Sequence, residues 1–280
     1  MIKKIAVASI LVCAATGAQA QAVCTRAELQ AATASYVAAQ ASGDATKMIF
    51  AEGAEYLENM IAVGKGDGLW NTALPIALSR SIHDSTRCKT FTEVVVTEGD
   101  HQYVIGTRLY LDAGNITRID SLVTDAGDWL FNANAYLKYS SAEDWSAPAV
   151  AERTPAIALI NGANNYLDLF SDKFVDIPWG TPCARLEGGA YTNRDNDPAP
   201  SCEIGIPAGV LYIVNRDYLV DEELGVINVF CRFGNSTSGM PDSHTFKMVN
   251  SKLRYVHTLS VNLNPGAPSP QADDNGDMIR

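Results

Sequence analysis

Two kinds of hydrophobic spacing alternate along this chain, and they come in the same order twice. Residues 27–42 have helix-forming composition around Leu29 and Tyr36 and end near Gly43. Residues 154–170 repeat that plan around Tyr166, with Thr154 as N-cap and Pro155 in the first helical position. Elsewhere the pattern falls to period two. Phe91–Val96, Tyr103–Leu111, Ile116–Val123, Val210–Val214, Val226–Phe233, Thr245–Val249 and Leu253–Val261 are rich in β-branched and aromatic residues and predict strands. A helix followed by antiparallel strands, twice over, predicts an α+β fold in which each half packs a helix into a curved antiparallel sheet, a cone with a pocket at its mouth.

The repetition extends to particular residues. Tyr36 matches Tyr166 at a spacing of 130, and Leu57-Glu58 matches Leu186-Glu187 at 129. Arg80-Ser-Ile-His-Asp84 resembles Arg216-Asp-Tyr-Leu-Val-Asp221. The hairpin from Thr107 through Asp120 aligns without a gap on the one from His244 through His257, now at 137. Extra loop therefore lies between Glu187 and Asp221 of the second copy. The expected organisation is a first unit over 21–139, a linker over 140–152, a second unit over 153–264 and a disordered tail over 265–280, rich in Pro, Gly and Asp.

Composition narrows the setting. Lys3 and Lys4, the apolar run Ile5–Ala15 and Ala18-Gln-Ala20 read as an export signal over residues 1–20, too short to span a membrane. Periplasmic or extracellular destination follows. Five cysteines remain after cleavage, and an oxidising compartment favours pairing. Cys183–Cys202 would close a loop rich in Pro, Asp and Asn, and Cys24–Cys88 would tie down the mature N-terminus. Cys231, within an alternating strand, is left as a buried thiol. No cysteine or histidine spacing suggests zinc. The net charge of −11 becomes −13 without Lys3 and Lys4, which argues against nucleic acid and anionic membranes as partners.

The chemistry-bearing residues concentrate between Ile177 and Tyr191 and in the last hairpin. Arg185, Glu187 and Tyr191 sit on what reads as a stapled loop that presents them to a small molecule. Gly188-Gly189 leaves Glu187 approachable. His244 follows Asp242, which is placed to orient it. His257 shares a strand face with Tyr255. No nucleophile elbow, phosphate loop or metalloprotease motif is present. Glu187, His257, His244 and Tyr191 are thus the candidate acids and bases. Arg185, Trp179, Tyr212, Tyr255 and Asp221 are the candidate substrate contacts, and no cofactor or metal is expected.

The blocks Tyr56-Leu-Glu-Asn59, Arg80-Ser-Ile-His-Asp84, Val104-Ile-Gly-Thr-Arg108, Thr124-Asp-Ala-Gly-Asp-Trp-Leu-Phe131, Pro178-Trp-Gly-Thr-Pro-Cys-Ala-Arg-Leu-Glu-Gly-Gly-Ala-Tyr191, Pro241-Asp-Ser-His244 and Arg254-Tyr-Val-His257-Thr258 carry a resemblance. Over about residues 24–262 the chain resembles a secreted, mostly fungal, largely uncharacterised family similar to the nuclear-transport-factor-2 (NTF2-like, SnoaL-like) fold. The resemblance implies a tandem pair of such cones. Its bacterial relatives imply an activity: glutathione-independent hydrolysis of the β-aryl ether (β-O-4) bond of lignin-derived dimers, releasing a phenol such as guaiacol. On that reading Glu187, or His244 with Asp242, is the base, His257 or Tyr191 the acid, and the partner a small aromatic substrate. The competing readings are a secreted binding protein for a small hydrophobic ligand, a dehydratase, isomerase or cyclase of the same fold, and an interaction module. Converging His, Glu and Tyr side chains favour an enzyme; an all-apolar cone favours a binder. Oligomeric state is left open.

Overall fold

The computed structural model describes residues 24–64, 66–192, 202, 209–264 and 269–279. The expected export signal lies outside them. The first half opens on α1 (Arg26–Ser42). Thr25 and Glu28 form a reciprocal capping box, and Gly43 closes the helix in the left-handed region. There follow β1 (Phe50–Glu58), β2 (Ile61–Ala62), β3 (Leu78–Asp84), β4 (Lys89–Val96), β5 (Tyr103–Asp112) and β6 (Asn115–Thr124), joined in the order β2-β1-β6-β5-β4-β3. After α2 (Ala133–Ala142), the second half repeats the plan. It runs α3 (Ala156–Asp168), β7 (Trp179–Glu187), β8 (Ala190–Tyr191), β9 (Ile213–Asp221), β10 (Val226–Phe233), β11 (Met240–Val249) and β12 (Lys252–Ser260), in the order β8-β7-β12-β11-β10-β9. The chain is thus a duplicated α+β unit.

The duplication holds at the level of register. Asp120 pairs with Leu57 where His257 pairs with Leu186. Thr107 stands opposite Ser121 as His244 stands opposite Thr258. Each sheet is mixed rather than antiparallel, because β1–β6 and β7–β12 run parallel. The long chain between β1 and β6, or β7 and β12, makes that return.

Each helix covers the inner face of its own sheet. Leu29, Tyr36 and Ala39 of α1 bury against Val94, Ile105, Leu109 and Ile119; Leu159, Ala163 and Tyr166 of α3 bury against Phe246, Met248, Leu253 and Val256. The outer faces of the sheets pack on each other through Ile82, Phe91, Leu122, Leu219 and Phe230, and through Val95, Val104, Leu186 and Leu259. Alternation along the central strands serves two cores at once. The halves also exchange matching bonds. Asp221 accepts from His83 N and Asp84 accepts from Val220 N, both at 2.9 Å, and Arg26 clamps Asp221 at 2.9 Å. Arg108, fully buried, crosses to Asn228 and Asp217 of the other half.

Cys24–Cys88 and Cys183–Cys202 are disulfides, and Cys231 is free and buried. Among the described residues no helix is long and apolar enough to cross a membrane.

Several local expectations need correction. The N-cap of α3 is Pro155, not Thr154. Ala156 N donates to Glu222, while the Thr154 hydroxyl accepts from Ser251 N. The helix α2 runs to Ala142, past residue 140, where composition puts the start of the linker. The tail is not disordered over 271–279. Gln271–Ala272 and Met278–Ile279 pair as β13 and β14, and Ala272, Asn275 and Gly276 carbonyls accept bonds from Asn132, Tyr139 and Tyr191.

Candidate functional site

The segment read as a stapled loop is largely strand. Arg185 and Glu187 lie in β7 and Tyr191 in β8, across a turn at Gly188. Period-two alternation then decides which candidates meet. Glu187 stands opposite Thr258, and His244 opposite the same residue, so Glu187, Thr258 and His244 share one face. Arg185, two residues from Glu187, shares it. His257 stands opposite Thr245 and Leu186, and Leu186 opposite Tyr191, so His257 and Tyr191 take the other face. His244 and His257 are on adjacent strands but out of step by one, and they point to opposite sides of the sheet. The five residues expected at one pocket therefore divide into two groups.

The first group lines the inner face beneath α3. Tyr166 reaches down from the helix, its ring 5.6 Å from the His244 ring and 5.1 Å from Phe246. Arg185 pairs with Glu187, whose other oxygen accepts from Trp129 Nε1 at 2.8 Å. Burial alone lowers the Arg185 pKa, but the Glu187 carboxylate and the Tyr166 phenol outweigh it and hold it above its ordinary value. Burial, with the Glu187 charge, pushes the Tyr166 phenol up against Arg185, so Tyr166 is a neutral donor at physiological pH. Glu187 retains 19% exposure, whereas His244 and Asp242 are sealed.

What distinguishes this face is its unsatisfied hydrogen bonding. The Tyr166 hydroxyl, Arg185 Nε, His244 Nδ1 and Thr258 Oγ1 are buried and complete no well-aligned hydrogen bond, although Tyr166 and Arg185 face each other and His244 Nδ1 lies 3.2 Å from Asp242. Such atoms each cost about 1–3 kcal/mol. The matching positions of the first half are satisfied. Tyr36 shares a hydrogen bond with Thr107 at 2.7 Å, and Thr107 another with Ser121 at 2.9 Å. One cone has closed its polar chain; the other leaves the matching positions without well-aligned hydrogen bonds.

The second group lies between the sheets and is fully engaged. His257 Nε2 is 2.6 Å from Glu143 and Nδ1 is 3.1 Å from Glu93. Tyr136 donates to Glu93 at 2.7 Å, Arg80 to Glu93 at 3.2 Å, Trp145 to Glu143 at 2.9 Å and Tyr191 to Glu143 at 3.2 Å. Burial lowers the imidazole pKa, but the two carboxylates overcome it and raise it above its ordinary range. Burial raises Glu93, and His257, Arg80 and Tyr136 reverse that, leaving it below the usual carboxylate range. The cavity beside Glu93 and Trp145 is about 10 Å³, space for a water at most. This is an imidazolium locked between two carboxylates, and it ties α2 and β4 to β12.

The remaining predicted contacts scatter. Trp179 packs edge-on against Tyr166 and, with Tyr255, lines a separate groove of about 770 Å³ between the 144–152 segment and the second sheet. Tyr255 stacks on Trp145. Tyr212 is 62% exposed. Asp221 is held at the junction of the halves by Arg26 and His83 N. Tyr166 and Thr258 were not legible as site residues. Tyr166 was visible only as the partner of Tyr36, and Thr258 only as a residue on the strand face opposite His257.

Residues 152–260 match a family model described as Domain of unknown function (DUF8021). No curated protein matches the chain. Among solved structures, the chain is similar to an NTF-2 like protein of unknown function from Burkholderia xenovorans LB400, at 14% identity and a TM-score of 0.26, over 35% of this chain and 84% of that one. It is also similar to AclR of Streptomyces galilaeus, a presumed hydroxylase, at 15% identity and a TM-score of 0.28, over 36% of this chain and 91% of that one.

Proposed function

We propose that the chain is an exported enzyme that uses the inner face of its second half for acid–base chemistry on a small, partly aromatic molecule. The observation that carries this reading is the set of four buried polar atoms without well-aligned hydrogen bonds on Tyr166, Arg185, His244 and Thr258, against their satisfied counterparts in the first half. A ligand bearing oxygen would complete those bonds. Glu187 at the exposed end of β7 supplies the base, and Arg185 and Trp129 hold it in place. Tyr166, kept neutral by burial, supplies the donor.

The family resemblance supplies the substrate class, the β-aryl ether bond of lignin-derived dimers. Water attacks the ether carbon and gives a proton to Glu187. The carbon–oxygen bond breaks, and the departing phenoxide accepts a hydrogen bond from Tyr166 and takes the proton that Glu187 received. Arg185 offsets the charge that builds on that oxygen. Two disulfides suit export to an oxidising compartment. The test is incubation of the purified protein with β-O-4 ketone dimers without glutathione. Release of guaiacol supports the proposal; saturable binding of the dimer with no phenol released replaces it with a binding protein.

A further inference from the structure

Three side chains beside this face form a second constellation. Cys231 stands directly opposite Asp242 across β10 and β11, and His244 follows two residues on, so all three project to the same inner face. Their donor atoms lie within 4.8 Å of one another. Cys231 Sγ is 3.8 Å from Asp242 Oδ2, and His244 Nδ1 is 3.2 Å from the same oxygen. Around zinc, ligand distances of about 2.0–2.3 Å and tetrahedral angles put neighbouring donors roughly 3.3–3.6 Å apart. Both measured edges lie close to that spacing.

The only candidate countercharge beside Asp242 among the described residues is the His244 imidazole, 3.2 Å away. Asp242 has no exposure, and its bonded partners are the Ser260 hydroxyl at 2.9 Å and the Cys231 thiol. No lysine or arginine pairs with it among the described residues. A buried carboxylate without a cation is costly. His244 is 2% exposed, and its Nδ1 faces the carboxylate without completing a hydrogen bond.

We propose that Cys231, Asp242 and His244 form a binding site for a borderline-soft divalent ion of the zinc type, with thiolate, carboxylate and imidazole as its protein ligands. Binding replaces the thiol proton, which leaves to solvent, and the ion neutralises Asp242. Three protein ligands leave the ion short of four-coordination, the pattern of sites that bind water or substrate. The site uses His244 Nδ1, so there the ion rather than a substrate oxygen completes that atom, and it does not depend on aryl ether cleavage.

The test uses purified full-length protein, carrying no metal-binding tag, refolded with its disulfides intact in the presence of one equivalent of Co²⁺. The expected result is one cobalt retained per chain after gel filtration, with a thiolate-to-cobalt charge-transfer band. Cys231→Ser should abolish the band, and Asp242→Asn should weaken retention at least tenfold. Circular dichroism confirms that each variant is folded. Zn²⁺ should displace the cobalt and bleach the band. The proposal is overturned if folded wild type retains no metal, or if the band survives in Cys231→Ser.

Discussion

Tyr166 and Tyr36 occupy matching places in the two halves and should respond oppositely to loss of their hydroxyls. Tyr36→Phe breaks the bond to Thr107 and should destabilise the protein by about 1 kcal/mol. Tyr166→Phe removes a buried hydroxyl that faces Arg185 without completing a well-aligned hydrogen bond, so urea unfolding should show stability close to unchanged. The same substitution should cut turnover by about a hundredfold, the usual scale for losing a hydrogen-bond donor to a developing oxyanion. Glu187→Gln should do likewise while leaving the fold intact. His257 belongs to a different problem. Replacing it with Gln leaves Glu93 and Glu143 buried and should cost about 3–5 kcal/mol. Its folded pKa is raised, so its stabilisation is fully present below the unfolded value of about 6.5 and is lost as pH rises through the folded one. Glu93 has a lowered folded pKa, so its share is present above about 4.3 and is lost as pH falls through the folded value. Wild type should therefore show an alkaline decline in unfolding free energy that His257→Gln lacks; parallel curves would contradict the locked imidazolium.

At the scale of elements, the turn between β7 and β8 sets the position of Glu187. Gly188 has φ +61°, and a Cβ there would stand 2.4 Å from the Trp129 carbonyl oxygen. Gly188→Ala should cost about 1–3 kcal/mol and move Trp129 off Glu187, which tryptophan fluorescence would register. Helices α1 and α3, the last hairpins and both disulfides were legible in the sequence, whereas α2 was not. β1, β3 and β7 were not either, and the strand expected over Val210–Val214 instead starts at Ile213 and runs to Asp221. Between them β1 and β7 carry Gly, Pro and charge and become strands by pairing with β6 and β12 far along the chain, whereas β3, with Arg, His and Asp among its seven residues, is held by the adjacent β4. The site was legible in part for the same reason. Arg185, Glu187 and His244 were identified and do share a face. His257 and Tyr191 were assigned to that face too, but the register across β11, β12 and β7 turns them away from it. Register is a property of paired strands, and one residue of offset moves a side chain to the opposite side.

At the scale of the molecule, two copies of one unit have taken different duties. The first closes its inner polar chain and lends Arg108, Glu93 and Trp129 to the second. The terminal hairpin adds a further clamp, bonding α2 and β8 through Asn132, Tyr139 and Tyr191. Deleting residues 265–280 should lower the melting temperature by about 2–4 °C for each kcal/mol of docking lost; an unchanged value would mean that the hairpin contributes nothing. The division of labour between the halves is the central claim, and guaiacol release from a β-O-4 ketone dimer tests it most directly when wild type, Tyr36→Phe and Tyr166→Phe are compared under conditions where all three are folded. Wild type and Tyr36→Phe should release the phenol at similar rates, with Tyr166→Phe about a hundredfold slower. Equal rates for wild type and Tyr166→Phe, or a loss confined to Tyr36→Phe, would contradict a site in the second half.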